Sequence, residues 1–249
     1  MKRDVIVVTA AYGRDRINAL GGQQAVIPII AAAGAQGIEI RRELFSDKEL
    51  LSLTGLGHTI ADASLVAYYS VPEALFTDEG QLNPELDRHL EEAEQLQARC
   101  LKYALGNYPR GFGFTGLRNK LASHALQLVV ENDQTACGKL SAMKAFLTEG
   151  GEALSRCGIT FDMGNWLWVG DDPLAAAREL SAAVSYIHVK AAVPQGEGWR
   201  AVALDEADSL WRETLNLLPP AVPRGIEFPL EGDDLVAVTR RYVDLLREE

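Results

Sequence analysis

GITFDMGNW, residues 158–166, is a short apolar run that stops on a carboxylate, Asp162, and then turns through Gly164 and Asn165. A buried strand that ends on an acid carries its chemistry out of the end of a sheet. Three other segments end in the same way. LQLVVEND reaches Glu131, VSYIHVK carries His188, and RGIEFPL carries Glu227. Four strands that deliver Glu, Asp, His and Glu to one place would form a divalent-metal site, with the remainder of the chain as the scaffold that gathers them.

The segments outward from 158–166 repeat the pattern. VIVVTAA (5–11), GIEIRRE (37–43), SLVAYYS (64–70) and LKYALGN (101–107) are apolar runs of strand length. With LQLVVEN (126–132), GITFDMGN (158–165), VSYIHVK (184–190) and RGIEFPL (224–230) they make eight predicted strands. Each is followed by a helical pattern. The first spans about 22–33, with Pro28 near its start or kinking it. KELLSLTGLGH follows Ser46 as cap, and Asp47 adds a favourable charge at its start. A third helix starts at Asn83 as N-cap with Pro84 in first position. Later patterns are LRNKLASHA, KLSAMKAFLTEGGEALSRC broken at Gly150 and Gly151, DPLAAARELSAA capped by Asp172, LDEADSLWRETLNLL and DDLVAVTRRYVDLLREE. Buried strands alternating with amphipathic helices predict a parallel sheet. Eight units predict closure into a (β/α)8 TIM barrel, with residues 1–249 as a single domain. An open doubly wound sheet would want a Gly-rich turn after the first strand, and AAYGRDR offers one Gly and no phosphate-cradling pattern. The loops at 71–82 and 191–203 exceed a plain strand-to-helix turn, and long loops on that face often cover a ligand.

Composition narrows the partners. A net charge of -11 repels phosphate backbones, and no Lys/Arg run exceeds Arg240–Arg241, so nucleic acid is a poor partner and none is expected. No apolar run approaches the ~20 residues that span a membrane. The apolar part of MKRDVIVVTAAYG is short, strand-like and interrupted by Asp4, unlike a secretory signal, so a cytoplasmic location is expected. Cys100, Cys137 and Cys157 are an odd set without close spacing and read as free thiols of a reducing compartment.

In a barrel, the C-terminal strand ends share one mouth, where active sites sit. Glu131, Asp162, His188 and Glu227 end strands five to eight, which are neighbours. A lone acid after a strand is more often a helix cap, and a lone His on an apolar strand is usually a hydrogen-bonded core residue. Four such groups side by side without a counter-ion would repel. Three carboxylates and one imidazole form a mostly hard set that favours Mn²⁺ or Mg²⁺, with Co²⁺ or Zn²⁺ as further options.

VENDQT, TFDMGNW, YIHVK and GIEFPL together resemble the xylose-isomerase-like barrels, the superfamily of sugar isomerases and epimerases that also includes endonuclease IV. The resemblance covers nearly the whole chain. GQLNPEL (80–86), VENDQT and FDMGNW resemble, more narrowly, a group assigned as epimerases of 2-ketogluconate utilisation. The resemblance implies that Glu131, Asp162, His188 and Glu227 bind one divalent ion. It implies a substrate whose carbonyl and neighbouring hydroxyl chelate that ion, and α-proton abstraction through a metal-bound enediolate. Glu131 and Glu227 are then both ligands and proton-transfer groups. The substrate class is a small keto-sugar or sugar acid, and a homodimer is left open. Endonuclease IV uses several histidines for a three-metal cluster. Here His58 and His89 fall in predicted helices and His124 precedes the fifth strand, which argues against that activity.

Further candidates surround the four. Lys190 shares the face of His188 and would bind a substrate carboxylate or oxyanion, or a rim acid. Arg200, after the Gly-rich GEGWR, would close over an acidic substrate. Glu39 is a substrate or supporting group, or an ion-pair partner of Arg41 or Arg42. Asn165 would orient Asp162 or meet a sugar hydroxyl, and Trp166 would wall the pocket or pack in the core. The sugar epimerases in this superfamily tend to follow the histidine ligand with an acid and an Arg at close spacing; HVKAAVPQGEGWR displaces both. Two other readings stand beside an isomerase: a lyase that dehydrates a keto-sugar or cyclitol after the same proton abstraction, and a carbohydrate-binding barrel without turnover.

Overall fold

A computed structural model describes residues 3–249. Among the described residues ten strands are formed: β1 Val5–Val8, β2 Gly37–Arg41, β3 Val66–Phe76, β4 Cys100–Gly106, β5 Gln127–Glu131, β6 Cys157–Asp162, β7 Val184–Val189, β8 Ala191–Gln195, β9 Gly198–Val202 and β10 Arg224–Ile226. Eight of them close a barrel in the order β1-β10-β7-β6-β5-β4-β3-β2, and every pairing around it is parallel. All eight predicted strands therefore exist and sit in chain order around the ring. β8 and β9 form a separate antiparallel hairpin.

Alternation along the strands separates two environments. Outward residues such as Val7, Ile38, Ile40, Leu101, Tyr103, Leu128, Val130 and Ile187 join the large apolar core beneath the helices. Inward, Ile6, Tyr68, Cys100, Val129 and Tyr186 form a small apolar plug, with the Tyr68 and Tyr186 rings 4.8 Å apart. Two residues further along three of these strands stand Lys102, Glu131 and His188. The barrel interior thus changes from apolar to ionic within one pleat, and the ionic layer lies toward the C-terminal strand ends.

Several boundaries differ from expectation. β3 runs on to Phe76 with a register shift between Ser70 and Ala74, so much of the anticipated loop 71–82 is strand. The other long loop, 191–203, is the hairpin. The helix expected over 22–33 is a 3-10 turn, Gln23–Val26, feeding an α-helix, Ile27–Ala32, with Pro28 in its first turn, where the missing N–H costs nothing. A helix at Arg14–Leu20 precedes it. KELLSLTGLGH splits into Asp47–Leu50 and Leu53–Asp62; Ser46 and Glu49 cap the first reciprocally. The third helix starts at Leu86, and Asn83 Oδ1 instead accepts from Glu85 N at 2.8 Å just before it. Asp172 caps the helix Pro173–Leu180 as expected. No helix among the described residues is long and apolar enough to cross a membrane.

Gly225 couples the fold to the ionic layer. It pairs with His188 across β10 and β7. A Cβ there would fall 2.3 Å from the Tyr186 hydroxyl oxygen and 3.0 Å from His188 Cδ2. Gly225→Ala is expected to destabilise by about 1–3 kcal/mol through overpacking. Denaturant unfolding checks this, and an unchanged midpoint would show that Tyr186 yields freely.

Candidate metal centre

Glu131 ends β5, Asp162 ends β6, His188 is the penultimate residue of β7, and Glu227 follows β10. Asp162 lies level with His188 in the β6–β7 register. Glu227 N donates to Val189 O at 3.1 Å, extending the β10–β7 ladder by one bond and fixing the Glu227 backbone beside His188. One donor atom from each of the four lies within 4.8 Å of all the others. Asp162 and His188 have no solvent exposure, and Glu131 is 9% exposed.

The four side chains share one arrangement: an outer atom held by the protein and an inner atom facing the cluster. Glu131 Oε2 accepts from Lys102 Nζ at 2.5 Å. Asp162 Oδ1 accepts from the backbone N–H groups of Gly164 and Asn165, both at 2.9 Å. His188 Nε2 donates to Glu39 Oε2 at 2.7 Å. Glu227 Oε1 accepts from Arg41 Nη1 at 2.9 Å. The inner atoms, Glu131 Oε1, Asp162 Oδ2, His188 Nδ1 and Glu227 Oε2, are buried and meet only one another and the Lys190 ammonium, with no partner from the surrounding scaffold. Three carboxylate oxygens and an imidazole nitrogen converging in a buried interior fit a divalent ion, because such a cluster needs cationic charge at its centre. Ligands whose far side is fixed by a second partner are typical of metal centres.

Electrostatics match this division. Burial pushes against charge on Glu39, but His188 and Lys102 hold its pKa below the usual carboxylate range. An ionised Glu39 can only accept, so the Nε2 proton of His188 points to it and Nδ1 is the atom offered inward. Burial likewise opposes ionisation of Glu131, yet Lys102 and His188 bring it down to about 2. Glu227 is held well below its ordinary value by His188 and Lys190 against the same opposition. Asp162 behaves differently: burial dominates and pushes it up to about 7, although Lys190 works the other way. Burial disfavours charge on His188, but Glu227 and Glu39 raise it well above the ordinary imidazole range. An ion taken up at Nδ1 therefore displaces a proton.

The remaining predicted residues divide. Lys190 Nζ reaches Asp162 Oδ2 at 2.9 Å and Glu227 Oε2 at 3.0 Å. Asn165 lies beside Asp162, and its Nδ2 donates to Asn132 O at 2.9 Å while its Oδ1 accepts from Gln134 and Lys190. Glu39 is fully buried and meets His188, the Tyr186 hydroxyl at 2.8 Å, and, at 3.7 and 3.8 Å, Lys102 and Arg41. Trp166 is fully buried against Phe161 and packs in the core, so it does not wall the mouth. In β9, Ala201 lines a cavity of about 310 Å³ beside Glu227, Tyr12 and Phe228, whereas Arg200 is exposed and lines an adjoining cavity with Asp205 and Arg241, the two cavities sharing Pro229 and Glu231.

Sequence reading passed over Lys102 and Asn132. A lysine inside an apolar strand is itself a signal, since it is buried only when paired. Asn132 clamps both backbone groups of Asp162: its Nδ2 donates to Asp162 O and its Oδ1 accepts from Asp162 N, each at 2.9 Å.

No family model matches the sequence, and no curated protein matches it. Solved structures do match. The IolI protein with a bound zinc atom superposes with a TM-score of 0.75 at 12% identity, over 100% of this chain and 99% of that one. A xylose isomerase domain protein from Planctomyces limnophilus gives 0.68 at 15% identity, over 99% and 97%. The fold is that of the xylose-isomerase-like (β/α)8 barrels. D-allulose 3-epimerase from Methylomonas sp., in complex with D-allulose, gives 0.70 at 15% identity, over 100% and 98%. The probable 3-DHS dehydratase AsbF from Bacillus anthracis gives 0.68 at 13% identity, over 98% of each chain.

Proposed function

We propose that this barrel is a divalent-metal-dependent epimerase or isomerase of a small keto-sugar acid. The observation that carries the reading is the set of four inner donor atoms on Glu131, Asp162, His188 and Glu227. These residues would hold the ion; three hard oxygens and one imidazole nitrogen suit Mn²⁺ or Mg²⁺, and a zinc-bearing barrel of the same fold supports Zn²⁺ as well. The chemistry such an ion supplies is Lewis-acid polarisation of a carbonyl next to the labile C–H.

The chain's own groups do the rest. Glu131 and Glu227 stand on either side of His188 Nδ1, at 2.7 and 3.0 Å. They come from strands separated by β6 and β7, so a substrate carbon set over the cluster has a carboxylate on each flank. One takes the α-proton and the other returns a proton at the same carbon. Lys190, at the cluster edge, suits a substrate carboxylate, which favours a sugar acid over a neutral sugar and is in keeping with 2-ketogluconate chemistry. The cavity beside Glu227 receives the remainder of the substrate. The fold neighbours' epimerase and dehydratase names lend support to chemistry that begins with loss of that proton.

The test is a panel of keto-sugars and sugar acids in D₂O, with chelated protein before and after Mn²⁺ is added back. Deuterium uptake at the α carbon, dependent on Mn²⁺ and followed by mass spectrometry, is the expected result. A substrate that loses the mass of water makes the protein a lyase. Absence of exchange across the panel leaves a carbohydrate-binding barrel instead.

A further inference from the structure

Three cations border the cluster, and they differ in which oxygens they hold. Lys102 holds Glu131 Oε2 and Arg41 holds Glu227 Oε1, both outer atoms. Neither has to move for an ion to enter. Lys190 holds Asp162 Oδ2 and Glu227 Oε2, two of the four inner atoms. An ammonium and a divalent ion on those same oxygens would repel each other strongly in a buried site. We infer that Lys190 is an exchangeable counter-ion of this centre: its ammonium neutralises Asp162 and Glu227 when no divalent ion is bound, and yields them when one enters.

The surroundings of Lys190 suit exchange. Its side chain is 11% exposed, so the head lies at the edge of the buried cluster, whereas Lys102 is sealed at 3%. Asn165 Oδ1, at 3.2 Å, gives the ammonium a neutral partner outside the four donors. A flexible four-carbon stem lets the head move while the backbone stays fixed. That stem runs against Gly164, where an added Cβ would fall 2.8 Å from Lys190 Cγ. The exchange also orders events: the cation that suits an acidic substrate is released only after the ion has bound.

The inference rests on the reading of the cluster as a divalent-ion site. Its test uses the full chain with Mn²⁺ as probe, by calorimetric titration and by thermal unfolding of the ion-free protein. Lys190→Met is expected to bind Mn²⁺ about tenfold more tightly or better, since the competing charge is gone, and to melt at a lower temperature without the ion. A lysine that merely supports the structure would lower the melting temperature and leave or weaken the affinity. An unchanged or weaker affinity in Lys190→Met overturns the inference. Gly164→Ala keeps the charge but crowds the stem, and a smaller tightening is expected; should Lys190→Met fail to fold, unchanged affinity in Gly164→Ala overturns the inference alone. If wild type and both variants bind Mn²⁺ equally, only the exchange falls. If none binds it, the metal reading falls as well.

Discussion

Replacing Glu131 or Glu227 by Gln is expected to lower turnover by about 10²–10⁴-fold or more, while Mn²⁺ still binds with reduced affinity. The amide keeps the shape and one ligating oxygen but cannot carry a proton. Each carboxylate has its outer oxygen pinned by a fixed cation, Lys102 for Glu131 and Arg41 for Glu227. That pairing aims their inner oxygens at the cluster. Against the opposition of burial, Lys102 and His188 keep Glu131 ionised and His188 and Lys190 keep Glu227 ionised, which makes both weak bases, Glu131 at about 2 and Glu227 well below the ordinary value. A weak base removes a carbon-bound proton only when that proton has been made acidic, which is why the carboxylates and the ion must act on one substrate. The two variants should differ in kind. If one glutamate removes the proton and the other returns it, the variant lacking the returning group still exchanges deuterium from solvent but no longer inverts the carbon. Turnover, α-deuterium uptake and Mn²⁺ titration on both variants check this. Full activity in either one removes that residue from proton transfer.

The barrel was legible in the sequence because parallel strands buried on both faces leave apolar runs that need no context to recognise. The four clustered residues were legible for a related reason: an acid or imidazole at the end of such a run has nowhere to go but the mouth. Asp162 and Glu131 show this plainly. What sits behind those residues was not legible. Glu39 meets His188 from 149 residues away, and Lys102 meets Glu131 across 29 residues, and no local pattern encodes either contact. Lys102 also occupies the inward phase of β4, between outward Leu101 and Tyr103, so only the strand's register with its neighbours gives it a carboxylate. The register of Arg200 was not legible either. QGEG reads as loop, but it turns a hairpin, and a period of two decides that Ala201 and not Arg200 faces the cavity. Helix starts with side-chain caps, at Ser46 and Asp172, came through correctly; the helix expected from Asn83 did not, because an Asx hydrogen bond can close a turn ahead of the helix as readily as begin one.

The larger stability effect should come from Glu39, which contacts no inner atom of the cluster directly except through His188. Glu39 is fully buried, and its Oε2 accepts from both His188 Nε2 and the Tyr186 hydroxyl. Lys102 and Arg41 lie within 4 Å of its Oε1. Glu39→Leu leaves a buried ammonium, an imidazole N–H and a phenol short of a partner, and removing one member of a buried ionic network costs about 3–5 kcal/mol. The cost is greatest in the ion-free protein, where His188 carries its charge. The variant should also lose metal affinity by about 10–100-fold, because Glu39 fixes which nitrogen of His188 holds the proton and how the ring is turned. Glu39→Gln separates the two effects. Its amide oxygen can still accept from His188 and preserve ring orientation, while the negative charge is gone. The expected order is therefore wild type above Glu39→Gln above Glu39→Leu in Mn²⁺ affinity, with both variants less stable to denaturant. Equal affinity in all three would show that His188 is oriented by the β7 backbone and the Tyr186 ring, 4.9 Å from it, with no need of the carboxylate.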